Sequence, residues 1–194
     1  MQATASELHV TIYVFNSARV SSRDLALAEA RAARIFEKIG ITLIWVAGLT
    51  AQEAVGHPLG EAWNPADLDL RLWTRQLARG AAIHSNALGY CLSIERGQAI
   101  IFSDAIQNIA ARWSIDLADI LGVAMAHETG HLLLRTSNHS PLGMMKAPYL
   151  QKDMTGVGLE RLIFTREEGD SMRSEVRRRM RTRPMISSNP GRER

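Results

Sequence analysis

The chain has 194 residues, 46% apolar and 22% charged, which is enough to bury one substantial core and excludes disorder as the whole answer. No stretch reaches the roughly 18 uninterrupted apolar residues of a membrane span, and Met1 to Glu7 show no basic segment followed by an apolar run, so the reading is a soluble chain, cytoplasmic or exported with its leader removed. The net charge of +3 comes from the end of the chain: residues 171–194 hold 8 Arg against 2 Glu, leaving 15 basic and 18 acidic residues elsewhere, so nucleic acid is not expected as a partner.

Apolar residues alternate through Leu8, Val10, Ile12 and Val14 and predict a strand. Ser21 or Ser22 then caps a helix, with Asp24 in its first turn and Leu25, Ala28, Ala32, Ile35, Phe36 and Ile39 along one face. Gly40 stops that helix and Ile41 to Val46 reads as a second strand. This β, α, β order suits a parallel pair joined by a crossover helix. Residues 47–66 carry Gly, Pro and Asn without periodicity and read as a long connection. Leu68, Leu70 and Leu72 alternate with Asp67, Asp69 and Arg71, which predicts a strand with one wet face. Ala87 to Ile94 and Ala99 to Ser103 flank a turn and resemble a hairpin. Asp104 is placed to cap a short helix to Trp113, and Asp116 to cap a longer amphipathic one. Thr136 to Tyr149 reads as irregular. Thr165 and Glu168 form a capping-box pattern for a last helix, to about Met180. The fold class expected is α/β, with a mixed, mostly parallel sheet. One domain over 1–183 is expected, with subdomains at about 8–135 and 136–183, and residues 184–194 have the composition of a disordered tail.

A single cysteine, Cys91, rules out an internal disulfide and a cysteine-rich zinc site, so a metal must use His, Asp or Glu. The strongest signal is the string His127, Glu128, Thr129, Gly130, His131, followed at a distance by His139. Residues four apart lie one above the other on a helix, so His127 and His131 present two imidazole nitrogens to one point. Glu128 is placed to reach a water at the metal rather than the metal itself. If the chain turns back after Ser137 and Asn138, His139 closes a three-histidine zinc site with its fourth position open, the arrangement of catalytic rather than structural zinc.

The segment HETGHLLLRTSNHSPLGMM resembles the signature of metzincin zinc metalloproteases, in particular small bacterial members with a histidine, Ser-Pro and Gly-x-Met after the motif. The resemblance covers most of the chain and implies a twisted sheet with a crossover helix, an active-site helix and a small C-terminal subdomain ending in a helix. It implies a zinc peptidase acting on peptide or protein substrates. Glu128 would be the general base, His127, His131 and His139 the ligands, and Met145 the methionine of the turn beneath the metal. Tyr149 is a candidate further ligand or oxyanion donor, and the Ala87 to Ser103 hairpin a candidate substrate edge. Two departures stand out. The family pattern has a glycine and the third ligand where this chain has Leu134 and Ser137. The ligand is displaced to His139, and Asn138 becomes the candidate left-handed residue that reverses the chain.

Two rival readings remain. A zinc peptidase of another class would take a carboxylate third ligand, with Asp153, Glu160, Glu167 or Glu168 as candidates. A non-catalytic module would keep the zinc and use the cleft to hold a partner. Cys91 reads as a small buried apolar residue, His9, His57 and His84 as residues without partners, and the Arg-rich run 173–183 as a solvated helix face.

Overall fold

The computed structural model describes residues 7–49, 66–83, 85 and 87–182. The alternating segment forms β1 (His9–Asn16), which buries Val10, Ile12 and Val14. The Ser21 hydroxyl accepts the Asp24 N–H at 3.1 Å at the start of α1 (Ser22–Glu37), whose buried stripe is Leu25, Ala28, Ala32, Ile35 and Phe36. Gly40, at φ 70°, turns the chain into β2 (Thr42–Leu49), parallel to β1. Residues 47–49, expected in the connection, extend β2, and the rest of that connection except Ala66 lies outside the described residues.

The third strand, β3 (Leu68–Trp73), departs from expectation: all six residues are buried. It lies mid-sheet between β1 and β5 (Gln98–Phe102). Its polar residues are buried as a pair, with Arg71 Nη2 2.8 Å from Asp69 Oδ2. Gln98 donates to the same oxygen, and the guanidinium lies 4.9 Å above the Phe15 ring. Burial of charge is tolerable only with such partners, which alternation alone does not reveal. A short helix not anticipated from the sequence, α2 (Arg75–Gly80), follows with Thr74 as its cap. β4 (Gly89–Ser93) and β5 form the expected hairpin, with Ser103 already in α3 (Ser103–Trp113). Asp104 does not cap α3 but sits in its first turn, its carboxylate accepting the Arg75 N–H at the start of α2.

The sheet order is β2-β1-β3-β5-β4, four parallel strands with β4 antiparallel at one edge. Asp116 caps α4 (Leu117–Leu134) through the Ala118 N–H at 2.8 Å. Rather than amphipathic, α4 is buried on all sides from Ile120 to Leu133, because it packs against β4 and β5, against α1, and against the last helix, α6 (Arg166–Thr182). Gly122 permits the α1 contact: a Cβ there would lie 2.7 Å from the Ala28 carbonyl oxygen. A 3-10 turn (Gln151–Met154) and α5 (Gly156–Glu160) precede α6. The Thr165–Glu168 capping box forms as expected, the Thr165 N–H donating to Glu168 Oε2 at 2.8 Å and the Glu168 N–H to Thr165 Oγ1 at 3.2 Å. Among the described residues no helix is long and apolar enough to cross a membrane.

Candidate metal centre

His127 and His131 lie one turn apart on the most buried helix of the fold, and their Nε2 atoms approach to 3.0 Å. Each ring is oriented from its other nitrogen. The His131 Nδ1–H donates to the Thr136 carbonyl at 2.9 Å, and the His127 Nδ1–H to the Met144 carbonyl at 2.9 Å. A carbonyl only accepts, so both protons sit on Nδ1 and both Nε2 atoms turn toward the same point. Burial pushes the His127 imidazole down to about 4 and holds that of His131 below its ordinary value.

The helix ends sooner than the Asn138 expectation required. Arg135 takes the left-handed conformation at φ 55°, with its N–H on the His131 carbonyl, so the chain reverses one turn past His131. Its side chain reaches Glu175 of α6 at 3.6 Å, and Asn138 donates from its backbone to the Thr136 hydroxyl. The reversal brings the exposed His139 back to the helix, with Nε2 3.3 Å from that of His131.

After His139 the chain is tied down at both ends of a tight turn. The Ser140 N–H donates to the Met145 carbonyl at 2.8 Å, and the Ser140 hydroxyl to Glu168 Oε1 at 2.5 Å. Gly143 has φ 71°, and a Cβ on it would lie 2.6 Å from the Ile163 carbonyl oxygen, which accepts the Met144 N–H. Both methionines are buried with separate tasks. Met144 offers its carbonyl to His127, whereas Met145 packs its sulfur against Gly130, where a Cβ would be 2.6 Å away. The Tyr149 hydroxyl lies 3.0 Å from His127 Nδ1 and donates to the Met144 carbonyl. It thus meets the His127 ring at Nδ1, while Nε2 is the nitrogen that faces His131.

Glu128 is buried beside this cluster, against β4. Burial pushes its carboxyl up to about 8, an effect the Cys91 thiol partly opposes. Cys91 is half-buried rather than a plain buried apolar residue, and its Sγ lies 3.6 Å from Glu128 Oε2, so a carboxylate faces it. Burial and then the Glu128 charge raise the thiol far above its usual range, which keeps it protonated. Gly89 touches the other carboxylate oxygen and was missed, although a glycine inside a strand is itself a sign of close approach. The cluster opens into a cleft of about 1020 Å³ walled by β4 and lined by Tyr90, Leu92, Ile109, Trp113 and Pro148.

The carboxylates offered as alternative third ligands are occupied elsewhere or exposed. Asp153 pairs with Lys146 at 2.7 Å, Glu160 with Arg31 and Lys38, and Glu168 with Ser140 and Thr165, while Glu167 is exposed. His57 and His84 lie outside the described residues, and His9 meets the Glu7 carbonyl. The Arg-rich run is not wholly a solvated face. Arg179 is buried on Glu175, and Arg173 donates to the Ile39 carbonyl at 2.8 Å.

Among the described residues, His127, His131 and His139 form a cluster able to hold a metal ion, all ligand atoms lying within 4.8 Å of one another. Tetrahedral ligands at roughly 2.0–2.1 Å from zinc stand about 3.3 Å apart, and the two Nε2 separations from His131, 3.0 Å to His127 and 3.3 Å to His139, are close to that spacing. With both helix-borne Nδ1 atoms committed to carbonyls, the donor set suits a borderline-soft cation with one position left open. No protein-family model matches the chain, and no curated relative matches it. Its fold is similar to the crystal structure of a zinc-dependent peptidase from Methanocorpusculum labreanum (strain Z), with a TM-score of 0.56 and 14% identity over 83% of this chain and 99% of that one. The mixed, mostly parallel five-stranded sheet with its helices is therefore a fold that a zinc-dependent peptidase uses.

Proposed function

We propose that this chain is a zinc-dependent endopeptidase of metzincin-like architecture, a single catalytic domain over 1–183 whose subdomains meet near residue 135. The observation that carries the reading is the convergence of three imidazole nitrogens beside a buried carboxylate, at the mouth of a cleft walled by an edge strand. His127, His131 and His139 would hold one zinc ion, which when bound supplies Lewis acidity to a scissile carbonyl and acidifies water at its open position. Glu128, buried beside the three imidazoles, takes the proton from the attacking water and returns it to the leaving amine. The substrate lies extended along β4, whose outer edge has no strand beside it among the described residues. Met145 supports the site by packing under Gly130, and Met144 and Tyr149 keep the His127 ring in its tautomer.

Elemental analysis of the purified chain should find one zinc, and a peptide-library digest should show cleavage that a chelator stops. Glu128→Ala should lower kcat by about 10²–10⁴-fold with zinc content unchanged. A mutant as active as the parent refutes the base assignment, and a zinc-loaded parent that retains peptides without cutting them points to the binding module instead.

A further inference from the structure

Gly89 and Cys91 are two residues apart on β4, so they address the same face of the strand, and that face meets Glu128. An ideal Cβ on Gly89 would lie 2.2 Å from Glu128 Oε1 and 2.5 Å from the carboxyl carbon, while Cys91 Sγ lies 3.6 Å from Oε2. Each carboxylate oxygen therefore has its own neighbour on the strand. The bare backbone at Gly89 leaves room for nothing larger than hydrogen, which stops the carboxylate from moving further toward the strand. The Cys91 S–H donates to the opposite oxygen and sets the rotation of the group. A thiol is a weak donor, able to orient a carboxylate without holding its charge as a lysine or arginine would. β4 is also the last strand of the sheet among the described residues, so the element along which an extended peptide would lie also holds the base.

We infer that Gly89 and Cys91 are positioning residues that seat the Glu128 carboxylate against the edge strand, so that the base and the substrate register are set by one element. This rests on Glu128 being the base. Its structural core, the thiol–carboxylate contact, is measurable without turnover. Because Cys91 is the chain's one cysteine, its S–H stretch is a single infrared band. In the full chain, with zinc and without, the band should lie below the free-thiol position and move up to it in Glu128→Ala. A band that stays in place overturns the seat even if peptides are cleaved. A shifted band in a chain that cleaves nothing upholds the seat while the peptidase reading fails.

Kinetics then test the consequence. Gly89→Ala should lower kcat about a hundredfold, the usual penalty for misplacing a reacting group by an ångström, with KM and zinc content unchanged. Cys91→Ala should lower kcat about tenfold, and Cys91→Ser, which keeps a donor, should recover most of that. Parent-like turnover in Gly89→Ala, or equal losses in the alanine and serine variants of Cys91, overturns the positioning role.

Discussion

Two of the three imidazoles stand on α4 and are buried, while the third stands on an irregular segment and is exposed. The helix-borne pair owes its geometry to the helical repeat and to packing on every side of α4. His139 owes its place to contacts made far along the chain: Arg135 to Glu175, Ser140 to Glu168, and the Met144 N–H to the Ile163 carbonyl. The difference teaches that one half of the site is built locally and rigidly, whereas the other is held by α6 and the residues just before it. Loosening the C-terminal region should therefore weaken metal binding without touching a ligand.

The largest expected difference between the halves comes from the ligands themselves. His131→Ala should weaken zinc binding by about a thousandfold, on the order of 4 kcal/mol, and more than His139→Ala does, as read by competition with a chromogenic chelator. Equal losses would erase the distinction. Next comes the packing beneath the helix. Gly130→Ala forces a methyl toward the Met145 sulfur and should destabilise the fold by about 2 kcal/mol, seen as a lower Tm; an unchanged Tm would mean that Met145 has room to move.

Glu168→Ala removes the anchor of Ser140 together with half of the capping box. Zinc affinity should fall about tenfold, as for outer contacts that orient a ligand. An affinity equal to the parent's would show that the His139 segment holds itself in place.

The smallest effect concerns Glu175. Burial alone would raise its carboxyl, but hydrogen bonds and charge from Arg178 and Arg179 outweigh that and hold it below its ordinary value of 4.5. A depressed carboxyl stabilises the folded state above the unfolded value, and that contribution is lost as pH falls below about 4.5 through the folded value. The parent should therefore lose stability more steeply than Glu175→Gln below pH 4.5, by about 1 kcal/mol in denaturant melts. Parallel acid profiles would remove Glu175 from the account of how α6 is held.

Much of the fold was legible because its signals are local. The Ser21 cap, the stripe on α1, the Asp116 cap and the Thr165–Glu168 box all act within one helical turn and appear where the pattern places them. Errors occurred where a neighbour from elsewhere intervened. β3 has the alternation of a half-wet strand, yet Asp69 and Arg71 are buried because Gln98 and Phe15 receive them. Asp104 has the look of a cap for its own helix but serves the start of α2, 29 residues away.

Sequence alone determined the chemistry available to this protein: two histidines four apart with a carboxylate between them, a third histidine beyond a break, and one cysteine. Side-chain type and helical pitch are properties of the chain itself, so these needed no fold to be read. Only the tertiary structure decided that the chain reverses at Arg135 rather than Asn138, that Tyr149 meets His127 at Nδ1, and that Gly89 and Cys91 meet Glu128. The last two are contacts between segments whose distance is set by how sheet and helices pack, and the reversal at Arg135 is joined to α6 through Glu175; pairwise spacing along a sequence carries no such information.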